Sequence, residues 1–450
     1  MSEISGSVYE TISLTFSNVK EEVNAAIQLK SSLCGKLVQC LRNRYHALTH
    51  GISPSLACKV SVPLEDLPEQ EFDKVGVARG FIESYEAYCN LRGTAPSTEI
   101  APWVEDLVLF KNKRFELVSL PGIDTKSDLG VDLFPVTDAL THNTYFRSFE
   151  IRDYPIKEAA DLMNNFMRFN RHITYLSIAN TGAEISEQFG INLQANIYNR
   201  VQVFDFSGTK FKESGIVAFA YALQKMPHGV VTINVDGAIT TPKGFSVFLR
   251  SIQANPGMNS SLRNLNISNN KMDGETGSIF LDLIRSLSRG DNLKRLSVAN
   301  TSLNLGAFMA SKLLATLEYL DISDNKIDKL QLDSFHTQTQ DLKNMKTMKL
   351  SNVGLPPEIF GRYVRDILTN KFLSDVSLDL SQNMFGEKGG QIIADEISNA
   401  LRSHVWIYML DFSNNGLKPK ATKDLLLALP QSITKLVLDG NFSVNDADEL

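Results

Sequence analysis

Apolar residues recur along most of this chain in one block, L-x-x-L-x-L-x-x-N/T-x-L, and each block is followed by a segment with helical spacing. The clearest blocks are Leu262–Met272, Leu293–Leu303, Leu317–Ile327 and Ile407–Leu417. Inside each block the L-x-L stretch alternates, which predicts a short strand whose leucines face a core while the residues between them face away. The fourth position of the block serves as a marker. It is Val118, Phe149, Leu176, Phe204, Ile233, Leu265, Leu296, Leu320, Met348, Leu378, Leu410 and Leu436. Helices are predicted over 216–226, 244–254, 276–287, 359–368 and 390–401, with Pro227, Pro242, Pro256 and Pro430 at helix edges, where proline is tolerated. The ninth position is Asn at Asn270, Asn325, Asn383, Asn415 and Asn441, and Thr at Thr181, Thr209 and Thr301. A buried Asn there satisfies the free backbone groups of the turn, and Thr satisfies fewer of them. Ala238 and Val353 satisfy none, so those two turns are expected to be irregular.

A strand-plus-helix unit recurring roughly every 29 residues is the pattern of a leucine-rich repeat. Helices near twelve residues on every turn resemble the ribonuclease-inhibitor type of horseshoe. The expected fold is therefore α/β, a leucine-rich-repeat horseshoe solenoid of about 12 repeats, preceded by a mostly helical N-terminal region. Such an array offers a concave wall for binding rather than a catalytic pocket. Upstream of it, Val23, Ile27, Leu33, Leu37 and Leu41 predict a helix over 17–48, with Ser17 as N-cap, Glu21 and Glu22 early and Arg42 and Arg44 late. Gly51, Pro54, Pro63 and Pro68 then break the chain. A second helix is predicted over 71–91, stopped by Gly93, and the stretches VEDLVLF (104–110) and FELVSL (115–120) read as the first strands. The resulting division is an N-terminal helix (1–50), a linker with a helix (51–110) and the solenoid (111–450). After 433–442 only SVNDADEL remains, too short for a helix and a cap, so the array is expected either to continue in a longer protein or to have its edge covered by something else.

Composition adds exclusions. With 43% hydrophobic and 21% charged residues in 450, the chain is an ordinary folded protein. A net charge of −6 gives no basis for a general nucleic-acid binder or for attraction to an anionic membrane. Cys34, Cys40, Cys58 and Cys89 fit neither C-x-x-C nor zinc spacing and read as free thiols in a reducing compartment. The N-terminus has no signal-peptide pattern and no run of eighteen apolar residues exists, so a cytoplasmic location is expected. Nucleotide-loop, zincin and nucleophile-elbow motifs are missing and the histidines are scattered, so no catalytic residue, metal or cofactor is expected.

The outward position between the two strand leucines reads Glu150, Ser177, Asp205, Asn234, Asn266, Ser297, Asp321, Lys349, Asp379, Asp411 and Val437. This acidic-leaning strip is either a solvated face or a docking surface for a basic segment of a partner. Its candidate contact residues are Asp205, Asn266, Tyr319, Asp321, Asp379, Tyr408 and Asp411, the tyrosines as anchors. Asp379 and Asp411 are close enough to repel unless a cation or partner offsets them.

The segments between and within repeats resemble those of CARMIL proteins, leucine-rich scaffolds that regulate actin capping protein. GFIESYEAYCNLRG (80–93) followed by EIAPWVEDLVLF (99–110) is similar to that family's linker. DLFPVTDALTHNTYFRSFEI (132–151) resembles its first clear repeat, and LSDVSLDLSQNMFGEKGGQIIADEI (373–397) and ITKLVLDGNF (433–442) resemble later ones. The likeness covers roughly 50–442. It implies a non-enzymatic scaffold for proteins of the actin assembly machinery, cytoplasmic and at the cell cortex. That family also has a membrane-binding pleckstrin-homology-like domain, a dimerisation segment and a tail carrying the capping-protein motif. Residues 17–48 match only the last helix of such a domain, and the repeats stop short of that family's cap. Membrane contact is thus expected only through regions missing or incomplete here, and a monomer is expected. The alternative is a GTPase-activating protein of the RanGAP type, whose repeats are similar in length.

Overall fold

A computed structural model describes residues 3–7, 11–18, 23–31, 33–34, 36–41, 59–61, 76–123, 131–309, 312–327, 339, 342–398, 406–430 and 433–442. The chain divides into two compact units. One comprises Met1–Tyr154, Glu158–Leu176 and Ala195–Val201, the other Pro155–Lys157, Ser177–Gln194 and Gln202–Leu450.

The first unit begins with strands β1 (Glu3–Ser7), β2 (Thr11–Asn18), β3 (Val23–Lys30) and β4 (Lys59–Ser61), joined in the order β3-β2-β1-β4, with β1 parallel to β4. This corrects the helix expected over 17–48. A spacing of four, as between Val23 and Ile27, suits a helix and a strand alike. The alternation Val23, Ala25, Ile27, Leu29 and Ile12, Leu14, Phe16 decides for strands, and the register sets Ile12, Leu14 and Phe16 opposite Leu29, Ile27 and Ala25. Residues 36–41 are helical, and 42–50 lie outside the described residues.

A helix follows at Val77–Arg92, closed by Gly93 in the left-handed region (φ 70°). The next element, Ile100–Leu109, is a helix and not the strand expected for VEDLVLF. Ile100, Trp103, Val104, Leu107 and Val108 repeat at helical spacing, and Ile100 and Val104 are buried. Strand β5 (Arg114–Glu116) pairs in parallel with β6 (Ser148–Arg152), and Phe115 stands opposite Phe149. Phe115, not Val118, is thus the marker of that repeat; Val118 sits half exposed in a 3-10 turn. Phe115 joins Phe81, Phe146 and Phe149 in one aromatic cluster, with ring centroids 5.0–6.2 Å apart.

Burial pushes the nearby His142 imidazole down to about 4, with Arg171 acting in the same direction. The folded state keeps this ring neutral while the unfolded chain takes up a proton near its ordinary value of 6.5. The fold is therefore undiminished above that value and loses stability as pH falls from 6.5 towards 4, by at most about 1.4 kcal/mol per pH unit. Thermal melts across that window should fall less steeply for His142→Gln than for the wild type. Parallel curves would show that the ring is not what the acid titrates.

The chain passes into the second unit through β7 (Tyr175–Ala179). There β8 (Glu184–Ile185) pairs with β10 (Lys210–Phe211), and a longer ladder starts at β9 (Val203–Asp205). It continues through β11 (Thr232–Asn234), β12 (Asn264–Asn266), β13 (Arg295–Ser297), β14 (Tyr319–Asp321), β15 (Thr347–Lys349), β16 (Val376–Asp379), β17 (Ile407–Asp411) and β18 (Ile433–Val437). Each strand pairs in parallel with the next. The register aligns Phe204, Ile233, Leu265, Leu296, Leu320, Met348, Leu378, Leu410 and Leu436, the positions marked in the sequence. All but the last are buried.

Helices return the chain at Glu213–Lys225, Pro242–Ala254, Gly274–Leu287, Pro357–Thr369 and Gly386–Ser398. Their starts follow from caps: Thr241 accepts from the Gly244 N–H ahead of Pro242, and Asp273 from that of Thr276. Phe245, Phe248, Leu249 and Ile252 form the buried stripe of one of them. A Cβ on Gly190 would lie 2.3 Å from the Ala218 carbonyl carbon, so only glycine lets those neighbouring helices approach.

Two devices close the turn after each strand. The residue four places beyond the marker has φ between 53° and 70° in ten successive repeats: Asn180, Gly208, Gly237, Asn269, Asn300, Asp324, Asn352, Gln382, Asn414 and Gly440. Asn, Asp and Gly dominate because they enter that region at least cost. The ninth-position asparagines form the second device, and they serve two repeats each. Asn270 Nδ2 donates to its own turn at Ile267 O and Ser268 O and to Val235 O of the repeat before, while its Oδ1 accepts from Ile239 N at 2.7 Å. Asn383 likewise covers Leu350 O and the N–H of Val353. The turns at Ala238 and Val353 are therefore regular, against expectation. The following repeat supplies the amide that their own side chains lack.

Candidate functional site: the open face of the strand ladder

Residues on either side of each marker turn away from the helices and form the open face. The six Asp and Asn residues placed just after a marker share one local geometry. Asp205, Asp321, Asp379 and Asp411 each turn Oδ1 back to accept the backbone N–H two residues on, at Ser207, Ser323, Ser381 and Ser413, over 2.8–3.1 Å. Asn234 and Asn266 do the same for Asp236 and Ser268. Each side chain thus closes a local turn where the strand ends. The sequence carries a signal for this geometry in its D-x-S or N-x-S spacing, as in Asp205–Ser207, Asn266–Ser268, Asp379–Ser381 and Asp411–Ser413.

One carboxylate oxygen of each aspartate is spent on the fold, and Asp321, Asp379 and Asp411 remain part-exposed with a second oxygen to offer. Asp205 is buried, 6% exposed, and its Oδ1 also accepts from the Ser207 hydroxyl at 2.8 Å. Asp321, Lys349 and Asp379 stand side by side in the register. Lys349 Nζ lies 4.0 Å from Asp321 Oδ2. Burial works against the Lys349 ammonium, but Tyr319, Asp321 and Asp379 outweigh it and hold its pKa above the ordinary lysine value. Asp379 and Asp411 face each other across β16 and β17, so the negative end of the strip is there. In the first unit, Glu150 is neutralised instead: Arg114 binds both of its oxygens at 3.0 Å and Arg152 lies 3.7 Å away.

Tyr319 and Tyr408 do not form one site. The Tyr319 ring has the Arg295 guanidinium over one side at 4.4 Å and Lys349 Nζ at 5.9 Å. Burial, then the charge of Asp321, raises its phenol pKa. Tyr408 lies three strands further on, where Val376 pairs with Ile407 but Ser377 pairs with Met409. It is the extra residue of a β-bulge, 55% exposed, beside Trp406, whose Nε1 donates to Thr434 Oγ1 at 3.0 Å. Between β11 and β14 the open face dips into a hollow of about 290 Å³ lined by Asn234, Asn264, Asn266, Arg295, Ser297 and Tyr319, among others. Among the described residues, no three His, Cys, Asp or Glu side chains are grouped to hold a metal ion, and no helix is long and apolar enough to cross a membrane. Cys34, Cys40 and Cys89 are free thiols; Cys58 lies outside the described residues.

The Leucine Rich repeat family matches residues 314–329, the passage that runs into β14 and its turn. Over 370 residues the chain is 27% identical to Protein CARMIL of Dictyostelium discoideum, covering 81% of this chain and 34% of that protein. The chain thus resembles CARMIL proteins over most of its length. The likeness extends to the human Capping protein, Arp2/3 and myosin-I linker protein 3, at 22% identity over 393 residues, 82% of this chain and 27% of that protein. The chain is also 25% identical over 318 residues to the Rho GTPase-activating protein gacW of Dictyostelium discoideum, covering 68% of this chain and 27% of that protein. It spans about a third or less of the length of these relatives.

Proposed function

We propose that this chain is a non-enzymatic scaffold that docks proteins of the actin assembly machinery on the open face of its repeats and regulates filament capping at the cytoplasmic side of the cell cortex. The observation that carries this is the similarity to CARMIL proteins across 81% of the chain, repeats included. On this reading 1–50 and 51–110 are an N-terminal region and linker, and 111–450 is a horseshoe of about 12 repeats acting as a monomer. The outward oxygens of Asp321, Asp379 and Asp411 take a basic segment, with Asn266, Tyr319 and Tyr408 as further contacts and Asp205 at the edge. The names of the relatives supply the first partners to try: actin capping protein, Arp2/3 and myosin-I.

The immobilised chain is expected to retain purified actin capping protein or Arp2/3 complex. Changing Asp321, Asp379 and Asp411 together to Asn should weaken retention while leaving the melt unchanged, because Asn234 and Asn266 already close the same turn with an amide. Retention of neither complex by the folded chain would end the scaffold reading, and undiminished retention by the triple variant would remove those aspartates from it.

The similarity to gacW supports a second reading, a GTPase-activating protein built on repeats. Faster GTP hydrolysis by a panel of Rho and Ran GTPases in the presence of the chain would favour it over the scaffold.

A further inference from the structure

We propose that the hollow between β11 and β14 is a docking site for a carboxylate-bearing peptide, an acidic segment of a partner protein. The inference rests on the scaffold reading and gives part of the open face a polarity opposite to that of its aspartates. At the position just after the marker, every Asp or Asn commits Oδ1 to the turn, so residue identity decides what faces outward. With aspartate that is a second carboxylate oxygen, as at Asp321, Asp379 and Asp411. At Asn234 and Asn266 it is an NH2 group, because Oδ1 accepts from Asp236 N at 3.2 Å and from Ser268 N at 3.0 Å.

Two adjacent strands thus present amide donors where other strands of the ladder present acceptors. The next strand adds Arg295, whose guanidinium is held over the Tyr319 ring at 4.4 Å. A guanidinium placed by an aromatic face keeps its N–H edge for a planar anion. The Asn264 amide is tied to Thr232 Oγ1 at 2.8 Å, which fixes that side chain in the lining of the hollow. Two outward amides and one guanidinium around a hollow of about 290 Å³ suit a glutamate or aspartate side chain.

The test is fluorescence anisotropy of labelled octaglutamate, octaglutamine and octalysine against the whole chain, at low and at raised salt. Octaglutamate is expected to bind in a salt-sensitive way and octaglutamine not to bind. The double variant Asn234→Asp/Asn266→Asp keeps both turns, as the aspartate repeats do, and replaces the outward donors with negative oxygens. It should weaken octaglutamate at least about tenfold, and Arg295→Gln should weaken it too, with melts unchanged in both. Failure of octaglutamate to bind, equal binding to the variants, or loss confined to variants that no longer fold cooperatively would overturn the proposal. Retention of actin capping protein or Arp2/3 is measured on the same samples. If the wild type retains one of them but ignores octaglutamate, the hollow is not an anion site and the scaffold reading stands. If octaglutamate binds as expected while neither is retained, the site stands and the actin partner falls.

Discussion

Asn415→Ala is expected to lower stability by about 1–3 kcal/mol, the cost of leaving the buried Asn383 N–H without an acceptor, since Leu380 O, Phe412 O and Ser413 O keep Asn383 Nδ2, Asn441 Nδ2 and Gln382 N as donors. Asn415 Nδ2 donates to Leu380 O at 3.0 Å, Phe412 O at 2.8 Å and Ser413 O at 3.3 Å, and its Oδ1 accepts from Asn383 N at 2.7 Å. Its side chain is 1% exposed, so water does not replace these bonds. The control is Asn344→Ala: that exposed amide makes one bond, to Ala315 O, and its loss should cost about 1 kcal/mol or less. Urea titrations of the two variants give the comparison directly. Equal midpoints would mean that the ninth-position amide contributes no more than a surface contact.

Leu296→Ala is expected to cost about 2–5 kcal/mol. The side chain is fully buried, and its strand pairs with β12 on one side and β14 on the other, so the cavity opens against two neighbouring repeats. Leu427→Ala, at a position 76% exposed, should lie within about 0.5 kcal/mol of the wild type. If circular-dichroism melts place Leu296→Ala beside Leu427→Ala, the strand register is wrong.

The register of the ladder from Phe204 onward was legible because one residue type recurs at one structural position, and a periodic signal survives local exceptions. Where the period stops, legibility stops with it. Residues 23–30 and 104–110 are short apolar stretches whose spacing admits two readings; for 23–30 the alternation across β2 and β3 decides only once the strands are paired, and for 104–110 the helical spacing is clear only when Ile100 and Trp103 are read with it. The turns at Ala238 and Val353 depart from the sequence expectation for a different reason. Their partner amides lie about thirty residues further along, so nothing local reveals that they are satisfied. At the open face, the residues were correctly placed on the strands, but charge alone did not reveal that each aspartate was half used. That follows from the Asx geometry of a strand end, and it also separates Asn234 and Asn266 from the acidic positions they otherwise resemble.

The ninth-position amides give the array a direction. Asn270, Asn325, Asn383, Asn415 and Asn441 each reach back to finish the turn that precedes their own, and none of these bonds runs the other way. Damage within one coil is therefore transmitted towards the N-terminus: the upstream neighbour loses its closing amide, while the downstream one keeps a complete set. Proteolytic nicking or a destabilising substitution should unzip these coils asymmetrically, and a transplanted coil with no amide of its own, like those of Ala238 and Val353, will keep its turn only where the downstream junction delivers an asparagine.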